Sequence, residues 1–587
     1  MHYGKCGSRC SGWDAGGQYK REKDEVKMKQ MRWIGWGIAV GIPLAFLVFF
    51  FAFPVGAMLA RGLYGATEAV GNGTDAGSAR IVENSLFTGL CTLLTDGYTW
   101  QIIWQTVWMA LAGTLLSVFF GIPGAYALYR LDFPGKKLIR GIIAMPFVLP
   151  TVVVGIAFSA VFRGPLAFLR LENSVWAVVL AMLFFNFSVI VRMVGNMWQG
   201  LDERMSQAAR TLGASPLRAF ITVTLPQLAP AVAAGAGVVF LYCSTAYGIV
   251  TTLGNPGYGT LETEIYRQTA IFFNLDQAAM LSVLQFLIVA ISLLVSSRLT
   301  VHTETALKIK ARSYHRVYRA DWWAFGLTLS MVAFILLPLV TLLIRSLQAD
   351  GKWSIRNYLL LSEPGAGFAG GTSVWEAVEH SVKIAGDATL ITFFIGVPLA
   401  LVLSRRVRGA WAQAQQLLDA FVLLPLGVST VTVGFGFLIA FSGSAIGDSP
   451  LLVPLAQAVV ALPLFIRLLV PSLRAIDPRM REAARTLGAT PWQVLRTIDL
   501  PYLLRGLGLA LGFAFAISLG EFGATSFLAN PDYLTLPVVI VKLLSRPGAD
   551  NYGMALAGAM ILAFGTGLIM VVAELVGAQG SEESRAR

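Results

Sequence analysis

The residue types that usually carry chemistry are few in this chain and do not cluster. The four histidines, His2, His302, His315 and His380, have neither metal-site nor triad spacing. The four cysteines, Cys6, Cys10, Cys91 and Cys243, include no CxxC pair and no zinc spacing. Gly-Lys pairs occur at Gly4-Lys5, Gly135-Lys136 and Gly351-Lys352, and none continues into the Ser or Thr of a phosphate-binding loop. The chain is therefore expected to hold no metal or cofactor and to be no enzyme. Any ATP hydrolysis must come from another polypeptide.

The strongest pattern lies in two polar loops. One runs from Asp202 through Gln207, Ala208, Ala209, Gly213, Ser215 and Pro216 to Leu225 and Pro226. The other runs from Asp477 and Pro478 through Glu482, Ala483, Ala484, Gly488, Thr490 and Pro491 to Ile498, Leu500 and Pro501. Their grammar predicts two short helices around a hard turn. Asp477 suits an N-cap and Pro478 the first helical position. Gly488 suits a left-handed stop, and Thr490 with Pro491 restarts the helix. Met480, Ala483, Ala484 and Leu487 fall at i, i+3, i+4 and i+7, as do Met205, Ala208, Ala209 and Leu212. Each loop thus presents a narrow apolar face. A helix of about ten residues is marginal alone in water, so something must cover that face: the chain's own membrane domain, or a cytoplasmic partner.

The elements that position these loops are membrane spans. The 587 residues are 56% hydrophobic and only 13% charged, and mean hydropathy is +0.67. Soluble domains carry roughly 25% charged residues, so a soluble enzyme, a secreted disulfide scaffold and a disordered chain are all excluded as the main body. Apolar runs of about 20 residues recur at 33–59, 100–129, 141–162, 174–195, 229–252, 276–296, 323–344, 380–404, 416–442, 451–471, 504–527 and 553–576. With a cytoplasmic N-terminus, the inner segments carry 32 Lys and Arg and the outer segments 9, a positive-inside pattern that places both termini in the cytoplasm. That pattern accounts for the net charge of +12 without a nucleic-acid partner.

The halves repeat at an offset of 275 residues. Residues 202–226 align with 477–501 without a gap, with 14 of 25 positions identical. Near the third span the offset becomes 279, pairing Pro146 with Pro425 and Gly155 with Gly434. Six spans per copy leave both copies the same way up, a parallel repeat about an axis along the membrane normal. The expected fold is an all-α membrane protein of about 12 transmembrane helices in two parallel six-helix repeats. Residues 1–31 are expected to be a disordered cytoplasmic polar leader and 32–300 the first half, with its loop at 197–226. Residues 301–322 form a cytoplasmic linker, 323–576 the second half with its loop at 473–501, and 577–587 a tail.

The segment Glu482-Ala483-Ala484 to Gly488, followed after nine residues by Ile498, Leu500 and Pro501, resembles the EAA signature of binding-protein-dependent ABC importer permeases. The first loop departs at Gln207, where Glu is usual, and at Val223, where Ile is usual. The resemblance covers nearly the whole chain after residue 31. The fused two-half architecture looks like the thiamine and ferric-iron importer permeases, and Glu521 with its flanking glycines looks closest to the thiamine type. What the resemblance implies is a type I importer permease in a bacterial cytoplasmic membrane. A periplasmic or lipoprotein binding protein would deliver the solute. Two copies of an ABC ATPase would dock on the two loops and use the ATP. Gln207 cannot supply the charge that Glu482 supplies, so the two docking contacts would differ.

Polar residues inside a membrane are functional candidates by default. Asn186, Asp387 and Glu521 lie within spans and are candidates for the solute pathway; for Asn186 and Glu521 a structural hydrogen bond is the competing role. Twelve spans and a parallel repeat also suit an ion-coupled secondary transporter with two six-helix halves. Such a transporter needs no paired docking loops and usually needs buried coupling charges, which are scarce here.

Overall fold

A helix apolar on every face has only lipid or other helices for neighbours, and its backbone must satisfy itself. The protein accordingly folds as helices packed on helices. A computed structural model describes residues 37, 39–64, 94–147, 149–254, 257–300, 315, 316, 318, 321–349, 351–367, 371–405 and 409–582. The leader, most of the linker, and Cys6, Cys10, Cys91, His2 and His302 lie outside the described residues.

The first half contains α1 (Ala39–Tyr64), α2 (Gly97–Arg130), α3 (Lys136–Ala144), α4 (Thr151–Phe162), α5 (Val175–Gly200), α6 (Glu203–Thr211) and α7 (Pro216–Ala219). It continues through α8 (Leu225–Ser244), α9 (Gly248–Leu253), α10 (Leu261–Ala270) and α11 (Leu275–Thr300). The second contains α12 (Trp322–Ser346), α13 (Arg356–Leu359), α14 (Val374–Leu403), α15 (Ala410–Leu423), α16 (Thr430–Phe441), α17 (Leu452–Arg474), α18 (Pro478–Thr486) and α19 (Pro491–Val494). It ends with α20 (Leu500–Gly520), α21 (Gly523–Leu528), α22 (Leu536–Leu544) and α23 (Ala549–Glu582). Two minimal sheets accompany them. Leu131 pairs in parallel with His315, joining the first half to the linker, and Gln348 pairs antiparallel with Trp353 in a hairpin.

Among the described residues, nine helices are long and apolar enough to cross a membrane, and three bent pairs bring the number to twelve. The repeat is visible in the packing. Helix α2 lies along α5 as α14 lies along α17. The amide of Leu261 donates to Thr106 Oγ1 at 3.0 Å, and that of Leu536, one repeat on, donates to Ser381 Oγ at 2.7 Å.

Two groups of expected spans are corrected. The third spans, 141–162 and 416–442, are not straight: residues 136–147 and 151–162 meet at 106°, and 411–427 and 430–441 at 97°. Pro150 sits extended at the first break, with ψ 139°, and a proline disfavours helix in the residue before it. At the second break, Ser429 starts a new helix by accepting the Val431 and Thr432 amides. Each inner limb has 12 residues, about 18 Å long and short of the roughly 30 Å hydrocarbon core. The fifth spans, 229–252 and 504–527, also break, at Thr245–Tyr247 and Glu521–Phe522.

The first span of each half crosses to the other. In α1, Phe49, Phe50 and Phe53 pack on Phe441 of α16 with ring centroids 5.7–6.2 Å apart. In α12, Phe334 packs on Phe158 of α4 at 5.7 Å. These exchanged arms tie the halves together while the centre is left to α8, α20 and the broken helices.

Candidate coupling loops and central seam

The loop grammar read from the sequence is realised in both copies. The Asp202 carboxylate accepts the Arg204 amide at 3.1 Å, and Asp477 that of Arg479 at 2.9 Å. Gly213 and Gly488 turn the chain at φ +89° and +84°, a left-handed conformation that costs other residues roughly 1–2 kcal/mol. Ser215 and Thr490 cap the next turn by accepting the amides of Arg218 and Gln493, each at 3.3 Å. A π-helical turn, Phe220–Thr224 or Leu495–Asp499, then leads into α8 or α20.

The apolar faces are bare. Leu212 is 89% exposed and its repeat counterpart Leu487 88%; Met205 and Met480, and Leu217 and Trp492, are exposed likewise. Packing on the chain's own membrane domain is therefore not what covers these faces. Gln207, Ala208, Glu482 and Ala483 lie exposed beside them, and Ala209 and Ala484 are half-buried. Pro226, Leu500 and Pro501 are exposed where the loops rejoin the membrane helices, with Leu225 and Ile498 half-buried.

The loops are held differently from behind. In the second half, the fully buried carboxylate of Asp499 takes the Arg405 guanidinium on one oxygen and Arg481 Nε on the other, the latter at 2.8 Å. Arg481 also reaches the Leu473 carbonyl at 3.4 Å. Burial pulls the Arg405 guanidinium down from its ordinary range, and Asp499 opposes that fall. In the first half the repeat positions of Asp499 and Arg481 hold Thr224 and Ser206. There Arg130, the counterpart of Arg405, donates to the Leu201 carbonyl at 3.2 Å. Asp321 accepts from Tyr126 Oη at 2.6 Å and the Tyr318 amide at 2.9 Å. A cavity of about 770 Å³ lies between them, bordered by Gln207, Phe220 and Thr224.

Helix α8 has 20 residues and α20 has 21, so each runs about 30 Å from its loop. At the far end both break, and the breaks meet. Tyr247 stacks on Phe522 with centroids 5.1 Å apart and planes 11° apart. Gly520 approaches Pro150 so closely that a Cβ there would stand 2.7 Å from the proline ring. Tyr266 of α10 contacts Tyr247 at 5.6 Å and Phe527 at 5.4 Å. Glu262, one turn before Tyr266, accepts Ser429 Oγ from the other half at 2.7 Å.

Of the three intramembrane candidates, the structure brings only Glu521 to this seam. Its carboxylate accepts the Ala524 amide at 2.8 Å, the Thr525 amide at 3.0 Å and Thr525 Oγ1 at 2.6 Å, which caps α21. Asn186 is buried between α5 and α8, its Nδ2 donating to the Met182 carbonyl at 3.0 Å and Cys243 Sγ at 3.3 Å. Asp387 is half-buried on α14. Tyr247, Phe522, Glu262 and Asp499 are not legible as site residues in the sequence. The aromatic pair does carry a signal, since its members stand exactly one repeat apart. Glu262 and Asp499 carry none, because Pro537 and Thr224 occupy their repeat positions.

The family of binding-protein-dependent transport system inner membrane components matches residues 113–349 and 393–578. A thiamine transport system permease protein, ThiP, of Brucella abortus is 29% identical over 574 residues, covering 93% of this chain and 96% of the relative. ThiP of Haemophilus influenzae is 26% identical over 77% of this chain and 84% of its own length. ThiP of Escherichia coli is 26% identical over 80% of this chain and 88% of its own length.

Proposed function

The chain belongs to the family of binding-protein-dependent transport system inner membrane components, and from that premise we propose that it is the permease of a thiamine importer. That it is a multi-pass permease subunit of an ABC importer follows from the family and the fold; ion-coupled secondary transport is set aside. Thiamine is supported by relatives that align along both halves and all bear that name. Those relatives lend no support to ferric iron as the cargo.

The observation that carries the mechanism is the pair of loops, each holding out an uncovered apolar helix face at repeat-related positions. Two ATPase subunits dock there, one per loop, and ATP is used by them. Gln207, Ala208, Ala209 and Gly213 shape the first contact. Glu482, Ala483, Ala484 and Gly488 shape the second. Leu225 and Pro226, and Ile498, Leu500 and Pro501, pass the motion into α8 and α20. An extracytoplasmic binding protein delivers the solute at the opposite end. Both termini and both loops face the cytoplasm, in accord with the Lys and Arg distribution.

Closure of the ATPases draws the loops together and parts the breaks at the far ends of α8 and α20. The stack of Tyr247 on Phe522 is the closed outer gate. The span holding α8 is the least buried of the long apolar helices, as a wall of a pathway open toward the loops must be. Asn186 and Glu521 serve as a helix-packing bond and a helix cap, and Asp387 is retained as a pathway candidate.

The test is reconstitution with the ATPase and binding protein in proteoliposomes. ATP-dependent thiamine uptake is expected. Uptake that persists without the ATPase overturns the importer mechanism, and coupled ATPase activity without thiamine uptake overturns the solute.

A further inference from the structure

Glu262 poses a problem that the fold alone does not solve. It is fully buried, and among the described residues no cation pairs with it. Its Oε2 accepts Ser429 Oγ across the seam, while Oε1 receives no hydrogen bond. The amide of Gln285 lies alongside and favours its charged form only weakly, its nitrogen also donating to the Ser244 carbonyl at 3.1 Å. Burial pushes its carboxyl up to about 8, so the closed seam holds it as the neutral acid and gives its charge no partner there. The architecture does not require it: one repeat on, α22 forms with Pro537 at this position, and the counterpart of Ser429 is Pro150.

The surroundings indicate what the carboxylate is for. Glu262 and Tyr266 share one face of α10 at i and i+4. Tyr266 contacts Tyr247 and Phe527, and Tyr247 contacts Phe522. Aromatic faces from both halves thus adjoin a carboxylate without a cation, at a seam that separates when the gate opens. Ring faces and a carboxylate together are the chemistry that holds an organic cation.

Building on the importer function proposed above, we infer that Glu262 is the specificity-determining counter-charge for a flat, aromatic, cationic solute. Parting of the halves breaks its bond to Ser429, admits water so that it ionises, and presents it to the pathway, with Tyr266 as the adjoining ring face. Recognition of the cation is then shared between the binding protein and the permease.

The experiment uses the permease–ATPase complex in proteoliposomes with thiamine-loaded binding protein. Glu262→Gln is expected to lower subsaturating uptake about tenfold, the order of one lost charge contact, while binding-protein-stimulated ATPase activity stays within about twofold. Ser429→Gly, which removes the closing contact, keeps the charge and leaves a residue tolerated at the N-cap of α16, is expected to retain uptake. Wild-type thiamine uptake unchanged by Glu262→Gln overturns this inference alone. An equal loss in Ser429→Gly also overturns it, because Glu262 is then only a latch. Wild-type protein that moves no thiamine refutes the solute and this inference together. Should Glu262→Gln not assemble, Tyr266→Leu must show the same selective loss, and intact uptake there overturns the inference.

Discussion

Tyr247 and Phe522 are 275 residues apart, the offset of the internal repeat, and their rings lie face to face at 5.1 Å. A residue can meet its own counterpart only on the symmetry axis that relates the two copies. This contact therefore marks where the pseudo-two-fold axis passes, at the end of the molecule remote from the coupling loops. A pathway along that axis has to pass between these rings.

Removing either ring loosens the outer gate. An aromatic pair is worth about 0.5–1.5 kcal/mol beyond its burial, up to roughly a tenfold shift toward the open state. Tyr247→Ala and Phe522→Ala are expected to raise the ATPase activity seen without binding protein, measured on the reconstituted complex, with Phe522→Tyr close to wild type. Unchanged basal activity in both alanine variants argues against a gate here.

Leu487→Asp and Leu212→Asp test the docking faces. Both leucines are almost fully exposed, so each change is expected to leave stability within about 0.5 kcal/mol. Co-purification of the ATPase is expected to fall in each variant and to vanish in the double variant. An ATPase that stays bound to the double variant places the docking site elsewhere.

Asp499→Asn tests the rear support of the second loop. It leaves Arg405 and Arg481 without their shared carboxylate, and breaking a buried pair costs about 3–5 kcal/mol. Thermal unfolding of the purified protein is expected several degrees lower, with ATP turnover poorly coupled to uptake. Thr224→Ala, at the equivalent place in the first half, is expected to change little, since Thr224 carries no charge to hold an arginine.

Glu521→Gln separates the cap from the pathway. The amide oxygen can still accept on one side of the start of α21, while the NH2 faces a donor that the second carboxylate oxygen accepted, so a loss of about 1–3 kcal/mol is expected, with thiamine uptake retained. Glu521→Ala removes every acceptor and is expected to destabilise the protein more. A Glu521→Gln protein that is stable but no longer takes up thiamine returns this carboxylate to the pathway.

The features legible in the sequence are those set by short-range rules. Asp202, Asp477, Ser215 and Thr490 cap the helices they were expected to cap, because capping is decided within three residues. Gly213 and Gly488 stop them because a left-handed residue is needed there. The same rules failed at 141–162 and 416–442. Hydropathy averages over a window and does not register a bend of about 100° at Pro150 or Ser429.

The sequence by itself determined the apolar runs, the repeat offset, the paired loops and the family resemblance. Each of these rests on composition or spacing along the chain. Only the tertiary structure decided which half each first span packs against, that Asp499 joins two arginines, and that Glu262 meets no cation among the described residues. Those outcomes depend on residues 18 to 392 positions apart, brought together by helix packing. Packing selects partners by shape in three dimensions, and no fixed interval along the chain records that choice.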